Sequence, residues 1–242
     1  MSHTGPDPQL IVAMHMSDGL VNAPTAAAFG LFAAVALAVC TTRARADLDE
    51  RTAPMAGLVT AFVFAVQMIN FPILPGASGH LLGGALVAIL VGPWVGSLCI
   101  AIVLVVQCLL FADGGITALG TNITNMALVG TFTGYAVARA LRRLAVRSRR
   151  GLIAVAFVAA LVNTVVAALA FVLEYAIGGA GGATLGVVAT LMVGLHALIG
   201  VGEGVITAAT VAAVAAVRPD LIHLLRGTRP ALPVATGDGA AR

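Results

Sequence analysis

The sequence predicts an all-α fold: a polytopic membrane bundle of about seven transmembrane helices, with the N-terminus outside and the C-terminus in the cytoplasm. Sixty per cent of the 242 residues are hydrophobic and ten per cent are charged, whereas soluble domains carry about 25% charged residues. Long apolar runs recur along the chain without the alternation of a membrane-spanning β-strand. This composition excludes a soluble enzyme, a nucleic-acid-binding protein and a disordered chain.

The apolar runs give the predicted spans in order. A helix needs about 20 predominantly apolar residues to cross a bilayer. The third run is short and rich in glycine, which fits either a tilted or a half-inserted segment. We count it as a span because of the charge pattern described next. The runs cover residues 23–40, 55–71, 81–92, 95–112, 118–141, 151–177 and 184–217.

The positive charges test this map. All 13 are arginine, and they cluster between the first and second runs, between the fifth and sixth, and after the seventh. An odd number of crossings with the N-terminus outside places all three clusters in the cytoplasm, as the positive-inside rule expects. Because a Walker A loop needs a lysine, the chain is not an ordinary P-loop ATPase. Another subunit or an ion gradient must supply energy for uphill transport.

Three parts of the chain follow from the map. Residues 14–217 form the membrane domain, and the polar residues 218–242 form a cytoplasmic tail that we expect to be disordered. Residues 1–13 form an N-terminal tail without the basic region of a signal peptide. We expect this tail to be absent from the mature protein.

Met14 and His15 form the first candidate metal site, just before the first span. If the mature chain begins at Met14, its α-amine, the deprotonated backbone nitrogen of His15 and the His15 ring can form two fused chelate rings on one cation. A fourth nitrogen would complete the planar set that Ni²⁺ and Cu²⁺ favour. His80, in a loop that the topology places on the same outer face, can supply it. From these residues alone, a solvated His15 and a capping His80 remain open alternatives.

Ionisable groups at membrane depth are candidate sites by default, because burying them is costly. Glu174, His196 and Glu203 belong to this class, although each can equally bond a neighbouring helix. Asp18 and Asp113 lie at span edges, and we interpret Asp113 as a helix cap. Hydrogen bonds between helices are the expected role of three amides, Asn122, Asn125 and Asn163.

Two rival functions stay open at this point. Gly76-Ala77-Ser78-Gly79 is a G-x-S-G string, and Ser78 with His196 would follow the nucleophile–base logic of a rhomboid-like intramembrane serine protease. The other rival is a structural membrane subunit without a ligand.

Four segments, taken together, resemble the CbiM/NikM family of cobalt/nickel substrate-binding membrane subunits. MHMSDGLVNAP resembles its MHIPDGxLxP opening, and FPILPGASGHLLGGALVAILVGPW resembles its P-x-x-G-x-S-G-H-L-L-G-G segment with the following G-P-W. FADGGITALGTNITNMALVG and HALIGVGEGVIT resemble its F-x-D-G-G-x-x-A-L-G-x-N-x-x-N-M and H-x-x-I-G-x-G-E-x-x-I-T segments. The matches come in order from residue 14 to about residue 207.

The resemblance implies the substrate-binding (S) component of an energy-coupling factor (ECF) ABC transporter, not an enzyme. It implies a seven-helix bundle and a metal site formed by Met14 through its amine, His15 through backbone and ring, and His80. Co²⁺ or Ni²⁺ would be the transported substrate, with no separate cofactor. Because the family site needs a free amine, the 13 residues before Met14 depart from the pattern, and we expect the mature chain to start at Met14.

The resemblance also implies partner subunits and a cellular location. The partners are a membrane T component, two cytoplasmic ATPase subunits and, as an option, a small accessory membrane subunit; nucleic acid is not a partner. The location of the chain is a bacterial or archaeal cell membrane. The cobalt branch, which is linked to cobalamin synthesis, is the nearer match. A nickel-specific S component is the alternative.

Overall fold

The computed structural model describes residues 15–50, 52–69, 71–74 and 77–227. For 71–74 and 77–79 it describes the backbone alone. Met14, the predicted tail 1–13 and residues 228–242 lie outside the described residues.

Helices dominate the described chain, which confirms the prediction of an all-α membrane bundle. Four of the described helices, α1, α4, α8 and α9, are long and apolar enough to cross a membrane, and α2 is a shorter apolar helix. A small antiparallel hairpin, β1 with β2, interrupts the helices. The elements are α1 Ala23–Ala44, α2 Thr52–Gln67, β1 Phe71–Leu74, β2 Ala77–Gly79, α3 Gly84–Val91, α4 Pro93–Phe111, α5 Leu119–Asn122, a π-helical segment Ile123–Gly130, α6 Thr131–Ala140, α7 Arg142–Arg147, α8 Arg149–Gly178 and α9 Leu185–Val217.

The outer surface of the bundle is apolar, as a lipid-facing surface requires. Leu58, Leu110 and Leu173 expose 69%, 74% and 61% of their surface. Small residues allow the long helices to approach closely, which is how helices associate in a membrane where apolar burial gives no driving force. Gly200 of α9, for example, lies against Leu161 of α8.

The bundle has two distinct ends. At the arginine end, defined by Thr52, Arg142 and Arg226, the Arg142 Nε donates to the Leu224 carbonyl at 2.8 Å and the Arg226 Nη2 donates to the Thr52 Oγ1 at 2.6 Å. These contacts join the regions of all three arginine clusters. The histidine end, defined by His15, Asp18 and Thr117, lies before α1 and after α4. The seven crossings and their orientation stay predictions from the charge pattern.

The third predicted span is not a regular transmembrane helix. Its helical part, α3, has eight residues and is therefore about 12 Å long, too short to cross alone. Residues 80–83 precede it in non-helical conformation, buried inside the bundle. The segment ends at Gly92, where a Cβ would lie 2.7 Å from the ring of His223 at the arginine end. Residues 80–92 thus connect the two ends as a non-helical stretch followed by a short helix.

The first residues of the predicted tail, 218–227, are folded. Pro219–Leu221 and His223–Leu225 form two short 3₁₀ helices. Ile222, Leu224 and Leu225 are buried and belong to the main hydrophobic core together with α3. These three apolar side chains, set among arginines, fold the start of the tail back onto the bundle.

Candidate metal site

Two buried imidazoles meet at the histidine end. The ring centroids of His15 and His80 lie 4.6 Å apart with an interplanar angle of 47°, and the residues expose 4% and 2% of their surface. Two imidazoles on adjacent corners of a square-planar ion, with metal–nitrogen distances of about 2.0 Å, have centroids about 4.5 Å apart. The structure therefore brings together the two histidines that the sequence analysis selects, at a spacing that suits one shared ion.

Asp113 is the polar partner of His15. The Nδ1 of His15 lies 2.9 Å from the Oδ1 of Asp113, and this hydrogen bond lowers the pKa of the carboxyl below its usual value. Asp113 follows α4, six residues before α5 begins at Leu119. The interpretation of Asp113 as a helix cap is therefore wrong, because the carboxylate orients a histidine from another segment.

The position of the His15 ring has a consequence for chelation. Only Nδ1 can close a small ring with the backbone nitrogen of the same residue, and Nδ1 is the atom that faces Asp113. Chelation must therefore exchange this hydrogen bond for the metal, which leaves the carboxylate beside the ring as a counter-charge. Within the described part of the chain, the other ring nitrogen, Nε2, is buried without a hydrogen-bond partner.

Met16, the next residue, is clamped by the fifth helix. The Met16 N–H donates to the Asn122 Oδ1 at 2.7 Å, and the Asn122 Nδ2 donates to the Met16 carbonyl at 3.0 Å. Gly115 comes so close to this segment that a Cβ there would lie 2.3 Å from the backbone nitrogen of Asp18. Asp18 itself accepts from the N–H and hydroxyl of Thr117 at 2.7 and 2.6 Å, which lowers its pKa. The residues around His15 are therefore held in one conformation before any ion arrives.

His80 begins the non-helical stretch inside the bundle. Its Nδ1 lies 2.9 Å from the Leu81 carbonyl, a contact that requires a proton on Nδ1 and places the lone pair of the neutral ring on Nε2. The next peptide groups are bound by one carboxylate. Leu82 N–H and Gly83 N–H donate to Glu203 Oε2 and Oε1 at 2.9 and 3.1 Å.

Two further helices complete the support of this stretch. Asn163 Nδ2 and Thr164 Oγ1 of α8 donate to the two oxygens of Glu203 at 3.0 and 2.9 Å. Gln67 Nε2 of α2 donates to the Leu82 carbonyl at 2.6 Å. Non-helical backbone at membrane depth is tolerated only where protein groups satisfy it. Glu203 is therefore a positioning residue that fixes the loop carrying His80.

The other candidates have their hydrogen-bond partners outside this pair. His196 Nδ1 donates to the Met192 carbonyl at 2.7 Å, and Glu174 accepts from Asn125 at 2.7 Å. Ser78 lies in β2, where the structure describes the backbone alone. The predicted interhelical role of the amides is confirmed for Asn125 and Asn163. Among the described residues, no group of three His, Cys, Asp or Glu side chains could hold a metal by itself, so the histidine pair needs a further donor.

Sequence reasoning missed Asp113 as the partner of His15 and Gln67 as a support of the loop that carries His80. Gln67 is a single polar residue in an apolar run, and Asp113 lies in a glycine-rich turn. Each position indicates a buried or constrained polar contact but does not identify its partner. The topology gave one usable clue, because an N-terminus outside places Asp113 on the same side as His15.

Comparison with known proteins identifies the class. Residues 15–221 match the family model described as "Cobalt uptake substrate-specific transmembrane region". A protein of Archaeoglobus fulgidus with the provisional name of a fused nickel transport protein NikMN is 43% identical over 210 residues, 87% of this chain and 68% of that protein. The cobalt transport protein CbiM of Sorangium cellulosum is 33% identical over 223 residues, 89% of this chain and 97% of that protein.

A solved structure gives the same answer for the fold. The crystal structure of a truncated transition metal transporter superposes with a TM-score of 0.74 at 30% sequence identity, covering 82% of this chain and 96% of that one. The likeness therefore extends over most of the described bundle.

Proposed function

The chain belongs to the cobalt uptake substrate-specific transmembrane family, and on that premise we propose that it captures Co²⁺ or Ni²⁺ at the histidine end for import. It is a multi-pass membrane metal-transport protein rather than an enzyme. The protease hypothesis built on Ser78 and His196 is not favoured by this membership.

One observation carries the proposed capture site. His15 and His80, which come from separate segments, lie with ring centroids 4.6 Å apart and almost completely buried. A dehydrated divalent ion needs ligands that replace its water, and neutral imidazole suits late divalent ions. Two imidazoles brought together in this way, with a carboxylate beside one of them, form an arrangement that attracts a cation.

The proposed ligand set has four nitrogens. Met14 contributes its amine, His15 its deprotonated backbone nitrogen and Nδ1, and His80 its Nε2. In a planar set of this kind, the fourth ligand stands opposite the backbone nitrogen and adjacent to the His15 ring, which agrees with the centroid spacing. Asp113 would balance part of the ion's charge once its hydrogen bond with His15 is exchanged.

We also propose that the chain works as the S component of an ECF transporter. A T component and two cytoplasmic ATPase subunits, with an optional small accessory membrane subunit, would reorient it and release the ion inside. Two features support this division of labour: the chain has no lysine for a Walker A loop, and its relatives are named as transport proteins.

For the ion we propose cobalt, with a nickel-specific S component as the alternative. Relatives carry names of both kinds, and a planar nitrogen set suits Ni²⁺ on coordination grounds. Competition between the two ions for the purified protein decides the preference. A higher affinity for Ni²⁺ would replace cobalt by nickel without altering the ligand set.

Alanine variants of the two histidines test the capture site. In the protein expressed from Met14, His15→Ala or His80→Ala should weaken Co²⁺ and Ni²⁺ binding by more than about 100-fold, the upper range for residues that only orient a ligand. Isothermal titration with either ion measures this. His223→Ala, at the arginine end, is the matched control and should bind as the wild type does. Unchanged affinity in both His15→Ala and His80→Ala would refute the site.

A second experiment isolates the amine. Protein expressed from Met1, with the tail retained, should lose high-affinity binding, because the Met14 nitrogen is then an amide. Native mass spectrometry reports the N-terminal mass and the bound ion together. Tight binding by a chain that retains residues 1–13 would remove Met14 from the ligand set.

A further inference from the structure

The three arginine clusters differ in how their charge is balanced. Residues 43–51 contain three arginines and three carboxylates. In the last cluster, Arg218 pairs with Asp220 at 2.9 Å. Residues 139–150 contain six arginines, and the sequence has no Asp or Glu from residue 114 to residue 173. The unbalanced positive charge of the arginine end is therefore concentrated in the second cluster, and the positive-inside rule does not explain why one cluster alone lacks carboxylates.

Two of the six arginines in this cluster hold the protein together. The Arg142 Nε donates to the Leu224 carbonyl at 2.8 Å, and the Arg149 Nη2 donates to the Ala212 carbonyl at 3.3 Å. The side chains of the other four are exposed, and within the part of the chain that the structure describes they form no hydrogen bond or ion pair. These four are Arg139, Arg143, Arg147 and Arg150.

Three of the four free arginines lie in a row. Only Leu141 separates α6 from α7, and the helical hydrogen bonding continues across it. The Leu141 N–H donates to the Val137 carbonyl at 3.0 Å, and the Leu141 carbonyl accepts from the Leu144 N–H at 2.9 Å. Arginines therefore recur every fourth residue on one face of this stretch, with an axial spacing of about 6 Å. We call this set the arginine row: Arg139, Arg143 and Arg147.

The arginine row lies where the apolar bundle ends. The helices α4 and α8 begin at this end, at Pro93 and Arg149, and Trp94, the single tryptophan of the chain, stands in the first turn of α4. Tryptophan is enriched at membrane–water interfaces. Leu144 directly follows Arg143 and exposes 52% of its surface. Cations at the depth of the lipid head groups thus stand beside an exposed apolar side chain.

We propose that the arginine row binds the phosphate groups of anionic phospholipids in the leaflet at the arginine end, with Leu144 inserted beside their acyl chains. A guanidinium group offers paired N–H donors to two oxygens of one phosphate, and clusters of basic residues next to a membrane span attract anionic lipids. An acidic protein surface is the rival occupant. The lipid is favoured because Leu144 continues the apolar, lipid-facing surface of the bundle. The proposal goes beyond metal capture and does not depend on His15 or His80.

Lipid titration tests the proposal. The purified full chain in a neutral detergent is titrated with phosphatidylglycerol and, separately, with phosphatidylcholine of the same acyl chains, and bound lipid is counted by native mass spectrometry. The wild type should bind phosphatidylglycerol about 10–100-fold more tightly at low salt, since each arginine near the surface contributes up to about fivefold. The preference should fall as the salt concentration rises. The triple variant Arg139→Gln, Arg143→Gln, Arg147→Gln should bind both lipids equally.

A matched control comes from the balanced cluster. The double variant Arg43→Gln, Arg45→Gln removes arginines from the same end of the bundle and should keep the preference for phosphatidylglycerol. If the triple variant does not fold, Arg143→Gln alone decides, and it should weaken phosphatidylglycerol binding by about two- to fivefold without changing phosphatidylcholine binding.

Three results would overturn the proposal. Equal affinity of the wild type for the two lipids, or an unchanged preference in the triple variant, would make the row a solvated surface or a contact for a protein. Competition by an equal concentration of glycerol phosphate, the head group without acyl chains, would show a site for soluble anions. Co²⁺ titration of the triple variant should match the wild type, so the lipid proposal and the capture site fail separately.

Discussion

Glu203 and Glu174 are both about 1% exposed, lie on adjacent helices and accept a hydrogen bond from an asparagine, yet their surroundings differ. Glu203 receives donors at both oxygens, two from backbone N–H groups and two from side chains. Glu174 receives one, from Asn125, and its other oxygen has no partner within the described chain. Burial alone therefore does not identify a functional carboxylate, whereas the number of satisfied lone pairs separates the two roles.

The difference follows from what each carboxylate must hold. Glu203 accepts hydrogen bonds from the N–H groups of the non-helical residues before α3, which have no helical acceptor. Without Glu203, these N–H groups would be unpaired at membrane depth. Glu174 stands on a regular stretch of α8, where the backbone needs no help. We interpret Glu203 as structural, whereas the backbone around Glu174 does not depend on its carboxylate.

The matched amide substitutions test this distinction most strongly at Glu203. In Glu203→Gln, one oxygen becomes an NH₂ group, which is best accommodated facing Thr164, because that hydroxyl can donate to the Ala160 carbonyl instead and accept from the amide. The Leu82 N–H then loses its acceptor, at a cost of about 1–3 kcal/mol for the unsatisfied buried group. Differential scanning fluorimetry of the detergent-solubilised protein should show a fall in Tm of roughly 5 °C or more. An unchanged Tm would mean that the four hydrogen bonds do not support the loop.

Asp113 is a third, partly exposed carboxylate, and it is hydrogen-bonded to the proposed metal ligand His15. Asp113→Asn keeps an oxygen beside the His15 Nδ1 but removes the counter-charge, so Co²⁺ affinity should fall by about 10–100-fold with little change in Tm. Because the pKa of Asp113 is lowered by His15, its carboxylate stays charged until the pH falls through that lowered pKa. The affinity difference between wild type and variant should therefore persist in mildly acidic buffer. Equal affinities in neutral buffer would show that Asp113 does not assist binding.

Much of the bundle could be predicted from the sequence because its information is local. The apolar runs placed the long helices to within a few residues, as with the run 151–177 and α8 Arg149–Gly178. The non-helical part of the third segment could not be predicted, since the groups that satisfy it, Gln67 and Glu203, lie far away along the chain. The same holds for Asp113, whose pairing with His15 depends on the turn after α4.

The capture site divides in the same way. The predicted topology placed His15 and His80 on one outer face, and the resemblance to the CbiM/NikM family joined them in one site. In the structure their ring centroids lie 4.6 Å apart. The role of Glu203 could not be read from its segment, because a glutamate in an apolar run predicts only that some partner exists. The choice between structural support and ligand binding depends on which donors surround the carboxylate in three dimensions.

Glu174→Gln gives the smallest effect on stability and the sharpest contrast. The carbonyl of the introduced glutamine can still accept from the Asn125 Nδ2, and its new NH₂ group can donate to the unpartnered Asn125 Oδ1. The Tm should therefore stay the same or rise, by an amount equivalent to about 1 kcal/mol at most. Under the same conditions, Glu203→Gln should lower the Tm and Glu174→Gln should not, although the same chemical change is made at two equally buried glutamates. A fall in Tm as large as that of Glu203→Gln would show that Glu174 is structural as well, because the bond to Asn125 would then need the full charge of the carboxylate.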